Sequence, residues 1–247
     1  FDYLVRMSER SRIPVTGPVV IVANHPIGSL DGLVLLKMIH EIRPDVKVVA
    51  NTVLQRIEPL RSMLLPVNNM QGNTSKTHIR AIHDFLQNGS ALIIFPAGEV
   101  SRLGAKGVMD GDWNPGFLRM AQAARAPIVP ICVNGKNSPL FYGMSVLCRP
   151  LSTLWLVREM FKHQNRAIGM CIGEPIHHEI YTSLPMPPKA VAKLVRKHLY
   201  RIGRGKSPIL KTTRAIALPE SRLALRAAVR KGVLLGETKD GKKIWLH

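Results

Sequence analysis

Short, unbroken apolar runs bounded by turn residues recur along the chain, separated by stretches with helical spacing. Residues 18–24 (Pro-Val-Val-Ile-Val-Ala-Asn), 46–51, 91–95, 128–133 and 167–172 have this character, as expected of strands buried on both faces of a sheet. Between them, Leu33, Leu36 and Ile39 share a helical face, predicting a helix from Asp31 to about Ile42. Ile79, Ile82 and Leu86 define an amphipathic helix over 74–88, stopped by Gly89. Asn114-Pro115 opens another, running to about Arg125. Residues 52–65, interrupted by Pro59, predict no definite element. Strands alternating with helices predict an α/β fold with a mixed, largely parallel central sheet flanked by helices.

The texture changes after Lys189. Val191, Leu194, Val195, His198 and Ile202 lie on one side of a helix otherwise studded with Lys193, Arg196, Lys197, Arg201 and Arg204. That pattern fits a helix lying in a lipid headgroup layer, or one packed on the domain with its charges in water. Residues 203–207 read as a linker. A short helix over 219–231 and a hairpin around Asp240-Gly241 then predict a small C-terminal appendage. The expected organisation is one domain over 1–204 and an appendage over 205–247, either a connector or the start of a further domain. The chain starts at Phe1 and not at Met, so it reads as an excised piece, with an upstream leader or anchor left open.

Composition narrows the class. In 247 residues, 46% are hydrophobic and only three are cysteine, which excludes a disordered chain and a disulfide scaffold. Cys132, Cys148 and Cys171 lack metal-site or redox spacing, which predicts a reducing, cytosolic setting. No apolar run approaches the roughly 18 residues of a membrane span. A formal charge of +19 attracts polyanions: nucleic acid, anionic lipid or an acidic carrier protein. An aromatic content of 5% and the lack of a reading motif argue against nucleic acid. Gly205-Lys206-Ser207 mimics the end of a nucleotide loop, but no buried strand precedes it. His177-His178-Glu179 reads as a surface segment, and no metal site is expected.

Two segments carry candidate chemistry, each directly after a buried strand, where open α/β sheets place ligands. In Asn24-His25-Pro26-Ile27-Gly28-Ser29-Leu30-Asp31-Gly32, His25 is a candidate general base and Asp31 its orienting carboxylate, or else the cap of the next helix. In Phe95-Pro96-Ala97-Gly98-Glu99-Val100-Ser101-Arg102, Gly98 permits close backbone approach, and Ser101 and Arg102 offer donors to an oxyanion or phosphate.

The order of these motifs, followed by Ala126-Pro-Ile-Val-Pro130, resembles the glycerolipid and lysophospholipid acyltransferase superfamily, from about Pro14 to Gly173. The wording of the two motifs is similar to a bacterial branch often labelled haemolysins, which includes ornithine-lipid-type acyltransferases. That resemblance implies O-acyl transfer from acyl carrier protein or acyl-CoA to a lyso-lipid hydroxyl, without another cofactor, on the cytoplasmic face of a membrane. It implies His25 and Asp31 as catalytic residues and Asn24, Gly28, Pro96, Gly98, Glu99, Ser101 and Arg102 as substrate-binding ones. The superfamily usually places four residues between His and Asp; here five intervene. Its second block usually supplies an arginine for an acceptor phosphate, whereas Leu64–Met70 has none. A hydroxylated aminolipid or a neutral lyso-lipid therefore fits better, with Arg61, Asn68 and Asn134 as candidate acceptor contacts. Rival readings are a membrane-associated lipid hydrolase and a basic nucleic-acid-binding module.

Overall fold

The computed structural model describes residues 2–51, 58–67, 76–104, 107–135, 137–138, 167–206, 209–210, 233–237 and 243–246. The chain divides into two compact units, Phe1–Thr213 and Arg214–His247. In chain order the first unit contains β1 (Asp2–Leu4), α1 (Met7–Arg10), β2 (Val19–Ala23), α2 (Ser29–His40) and β3 (Val46–Asn51). A 3-10 helix (Glu58–Met63), β4 (Leu64–Val67), α3 (Lys76–Gln87) and β5 (Ala91–Ile94) follow. Then come β6 (Arg102–Gly104), β7 (Gly107–Met109), α4 (Gly116–Ala123), β8 (Ile128–Asn134), β9 (Ala167–Ile172), α5 (His178–Thr182) and α6 (Pro188–Ile202). The second unit holds an antiparallel pair, β10 (Val233–Glu237) and β11 (Lys243–Leu246).

Seven strands form the main sheet in the order β1-β9-β8-β2-β5-β3-β4. All neighbours are parallel except β8 and β9. This is the mixed, largely parallel sheet the apolar runs predict. Each central strand is buried on both faces. Ile21, Val48 and Ile93 pack with Leu35, Met38 and Ile39 of α2, while Val20, Val22 and Leu92 pack with Leu86 of α3, Phe117 of α4 and Val195 and Leu199 of α6.

Four local expectations are corrected. The helix after β2 starts at Ser29 and not Asp31, because Gly28 takes the N-cap position. The helix after Pro115 starts at Gly116, whose N–H donates to Asn114 Oδ1 at 2.8 Å, and ends at Ala123. Leu64–Val67, within and beyond a stretch assigned no element, is an edge strand, where Pro66 is tolerated. Ile79 shares the apolar face of α3 but is exposed. The apolar face of α6 is settled as well: Val191, Val195, His198 and Leu199 are buried against the sheet, so this face is not available to lipid. The segment Leu151–Phe161, which reads by sequence as a core helix or strand or as a second membrane contact, lies outside the described residues, as do the predicted 219–231 helix and the Asp240-Gly241 turn.

Candidate active site

β2 and β5 are adjacent and parallel, with Val22 opposite Ile94. Their carboxyl ends therefore deliver the two motif-bearing turns side by side. In the first turn Gly28 has φ +106°, a backbone conformation that disfavours any side chain. From the first turn of α2, Asp31 reaches back, and its Oδ2 accepts the N–H groups of Ile27 at 2.9 Å and Gly28 at 3.0 Å. This curl absorbs the fifth intervening residue and leaves Asp31 Oδ2 3.1 Å from His25 Nδ1. Asp31 is fully buried, and its Oδ1 accepts no hydrogen bond. The Nδ1 contact is close without being aligned as a hydrogen bond. The imidazole also lies against the Phe95 ring, with centroids 4.3 Å apart and a 30° tilt. Nδ1 is thus turned to the carboxylate, and Nε2 is the remaining nitrogen for chemistry.

In the second turn Gly98 has φ +69°, and its N–H donates to Phe95 C=O at 3.1 Å. The Ser101 N–H donates to His25 C=O at 2.8 Å, tying one turn to the other. Asp110, 3% exposed, secures the joint. Its Oδ1 accepts the His25 N–H at 3.1 Å and the Ser101 hydroxyl at 2.5 Å, and its Oδ2 accepts the Trp113 indole N–H at 2.9 Å. Asp110 N–H donates to Tyr200 Oη at 2.8 Å, and Arg196 donates to Asp110 C=O. Burial pushes the Tyr200 phenol well above its ordinary range, so it stays protonated. The Ser101 hydroxyl, expected as a donor to an oxyanion or phosphate, donates to Asp110 in this structure, and its N–H ties the two turns together.

The other expected site residues divide. Pro96 is buried, and its C=O accepts the Asn114 N–H at 2.9 Å. Glu99 and Arg102 pair at 3.5 Å at the mouth of the second turn. Asn24 holds the first turn to β8: its Nδ2 donates to Val133 C=O at 2.9 Å and its Oδ1 accepts Val133 N–H at 2.7 Å. Arg61 lies in the crossover before β4, exposed and 3.6 Å from Glu58, and no described contact links it to His25. Asn68 lies outside the described residues. Asn134 sits at the end of β8, bordering a cavity beside the His25 turn. Buried Cys132 is inert as a nucleophile, its thiol pushed up to about 12 by burial. Asp110, Trp113 and Tyr200 escaped sequence reasoning. The available signal was a tryptophan in the polar loop Asp110-Gly-Asp-Trp113, since a buried indole N–H requires an acceptor.

Two hollows flank the paired turns. One, of about 340 Å³, runs between α3 and α4 and is lined by Val49, Val67, Ile94, Pro96 and Phe117, with exposed Ile79 at its side. The other, of about 450 Å³, lies beyond Asn24 and Pro26 and is bordered by Asn134, Tyr200 and Arg204.

Comparison with known proteins fits this arrangement. The chain is 26% identical over 208 residues to a lyso-glycine lipid O-acyltransferase of Bacteroides thetaiotaomicron, covering 81% of this chain and 76% of that protein. It is 25% identical over 208 residues to the protein of the same description from Phocaeicola vulgatus, covering 81% and 74%. Its fold is similar to the crystal structure of a 1-acyl-sn-glycerophosphate acyltransferase from Thermotoga maritima, with a TM-score of 0.50 at 18% identity, covering 82% of this chain and 72% of that one. A family model described as Acyltransferase matches residues 5–204. With its sheet, its two strand-end motifs and this match in accord, the chain belongs to the acyltransferase family and is an enzyme of acyl transfer.

Proposed function

We propose that this acyltransferase moves a fatty acyl group from a thioester, carried by acyl carrier protein or coenzyme A, to a hydroxyl of a lyso-aminolipid at a membrane surface. The observation that carries this reading is the His25 ring held between Asp31 and Phe95, with Nδ1 3.1 Å from the buried carboxylate. His25 Nε2 takes the proton of the acceptor hydroxyl as its oxygen attacks the thioester carbonyl carbon. Asp31 stabilises the imidazolium that results. The tetrahedral oxyanion is assigned to the backbone amides of Ala97 and Glu99 and to Arg102, the Gly98 N–H being held by Phe95 C=O. Collapse breaks the carbon–sulfur bond, and the thiolate leaves with the proton held by His25. A thiol of pKa about 8.5 is a good leaving group, so no stronger acid is needed.

The apolar groove between α3 and α4 opens beside Pro96 and suits the acyl chain. An acidic carrier protein, or the phosphates of coenzyme A, complements the +19 charge. Exposed Lys189, Lys193 and Lys197 of α6 would hold the enzyme on an anionic leaflet by charge, since the apolar face of this helix is buried. Among the described residues no helix is long and apolar enough to cross a membrane, and we place the enzyme peripherally on the cytoplasmic leaflet.

The acceptor choice follows the relatives, both described as acting on lyso-glycine lipid. The test is thiol release from palmitoyl-CoA or palmitoyl carrier protein with and without N-(3-hydroxyhexadecanoyl)glycine in anionic vesicles. Release that depends on the acceptor, yields the diacyl product by mass spectrometry and falls about 10²–10⁴-fold in His25→Ala is expected for a lost general base. Release of free fatty acid without acceptor would replace this reading with hydrolysis.

A further inference from the structure

The cavity beyond the His25 turn has a chemistry that the transfer reaction itself does not explain. Among the described residues lining its roughly 450 Å³, Arg204 is the one charged group. Its guanidinium meets the Met109 sulfur at 3.9 Å and, among the described residues, pairs with no carboxylate. The same lining includes Asn134, at the end of β8, and Tyr200, kept protonated by burial. The Cys132 thiol, pushed up to about 12, adds no competing negative charge.

Arg204 is brought here by construction. It follows Gly203, which ends α6 directly over β8. A Cβ on Gly203 would come within 2.2 Å of Cys132 Sγ. Only glycine lets the end of α6 pack this closely on β8 without a shift of one or the other. Gly135, also in the lining, is packed as closely: a Cβ there would lie 2.4 Å from Ile27 Cδ1. Asn24 and Pro26, the two chain neighbours of His25, both line the cavity. The cavity therefore borders the turn that carries the base.

We infer that this cavity is the acceptor-headgroup site and that Arg204 reads a free carboxylate there. The inference rests on the lyso-aminolipid acyltransferase reading. A planar guanidinium pairs with a carboxylate through two parallel hydrogen bonds. One positive charge suits a monoanion, whereas a phosphate monoester carries close to two charges and would call for a second cation. The described lining also offers no carboxylate for the ammonium of an ornithine headgroup. An N-acylglycine, with one carboxylate and no ammonium, matches what the cavity presents.

The experiment compares N-(3-hydroxyhexadecanoyl)glycine with its methyl ester as acceptors, for the native protein and for Arg204→Gln. Binding of decanoylglycine and decanoylglycine methyl ester, which lack the reacting hydroxyl, is measured in parallel by calorimetry. The native protein is expected to favour the acid over the ester by roughly tenfold or more in kcat/KM, mainly through KM, and to bind decanoylglycine correspondingly tighter than its ester. Arg204→Gln should erase both preferences and leave ester turnover within about twofold of native, which is the sign of lost uniform binding. A preference that survives in Arg204→Gln, or equal use of acid and ester by the native protein, overturns the inference while leaving the transfer reaction intact. Native protein that acylates neither acceptor sinks the parent reading, and tight, Arg204-independent binding of decanoylglycine would then reject this one separately.

Discussion

Arg43 and Asp31 are two buried charges near opposite ends of the same parallel strands, and the protein treats them differently. Arg43, 2% exposed, lies at the amino end, between α2 and β3. Its Nε and Nη2 meet the two Asp45 carboxylate oxygens at 2.7 and 2.6 Å. Its remaining donors go to the carbonyls of Pro14, Gly17 and Gly89 at 2.9, 2.9 and 2.6 Å. The guanidinium holds the Asp45 carboxyl below its usual range. Every part of this cation is answered, and three loops are pinned by it. Asp31, at the carboxyl end, is answered on one oxygen only, and its facing histidine is close without being aligned. A fully satisfied buried charge is a structural rivet. A partly satisfied one beside an imidazole keeps electrostatic work in reserve, available when that imidazole becomes charged.

The contrast can be broken most severely at Asp31. Asp31→Asn should retain an oxygen for the Ile27 and Gly28 amides while losing the charge that steadies the imidazolium. Turnover is expected to fall about 10²–10⁴-fold, with a urea midpoint corresponding to less than about 1 kcal/mol of lost stability. If stability collapsed instead, Asp31 would be a rivet too. Arg43→Met should do the reverse. It leaves Asp45 and three carbonyls without their partner and costs about 3–5 kcal/mol by urea unfolding, while kcat of the folded fraction is unchanged.

Asp110 lies between these extremes, being both well satisfied and next to the chemistry. In Asp110→Asn the side chain can no longer accept from both Ser101 and Trp113 without turning an NH₂ toward one of these donors. A loss of about 1–3 kcal/mol in stability is expected. The informative measurement is kinetic: kcat should fall roughly tenfold with KM for the thioester retained, since misplacement of the base affects the transition state more than binding. A purely structural role would leave kcat of the folded protein at the native value.

The smallest effect concerns His198, fully buried on α6, whose Nδ1 accepts the N–H groups of Ile209 and Leu210 at 3.2 Å each. Burial holds its imidazole below its ordinary range. The unfolded chain therefore binds this proton first as pH falls below about 6.5. The stability contribution of this histidine is present above that value and lost progressively on the acid side. His198→Asn, which keeps an acceptor but does not titrate, should flatten that part of a melting-temperature profile between pH 7 and 5. An unchanged profile would assign the acid sensitivity to other groups.

The parts of the fold legible in the sequence are those whose cause is local. β2, β5, β8 and β9 could be read because strands buried on both faces or set in a mixed sheet are dense in apolar residues and end at turns. β1 and β4 escaped notice because edge strands of three and four residues leave too little pattern, and Pro66 is tolerated because, among the described residues, no strand pairs beyond β4. His25 and Asp31 were legible as residue types after a strand. Their proximity was not, because it depends on a turn at Gly28 that curls the carboxylate back. The amphipathic pattern of α6 was equally clear, yet a helical stripe does not say what will cover it, and here the sheet does.

Residue chemistry and hydrophobic periodicity act over a few neighbours, so the chain alone was enough to specify the apolar strands β2, β3, β5, β8 and β9, the longer helices and the candidate base. Convergence of residues 25, 31, 101, 110, 113 and 200 into one network is another matter. It arises from the pairing of β2 with β5 and the packing of α6 on the sheet. Those contacts join segments far apart in sequence, and their energy exists only once the whole core has closed.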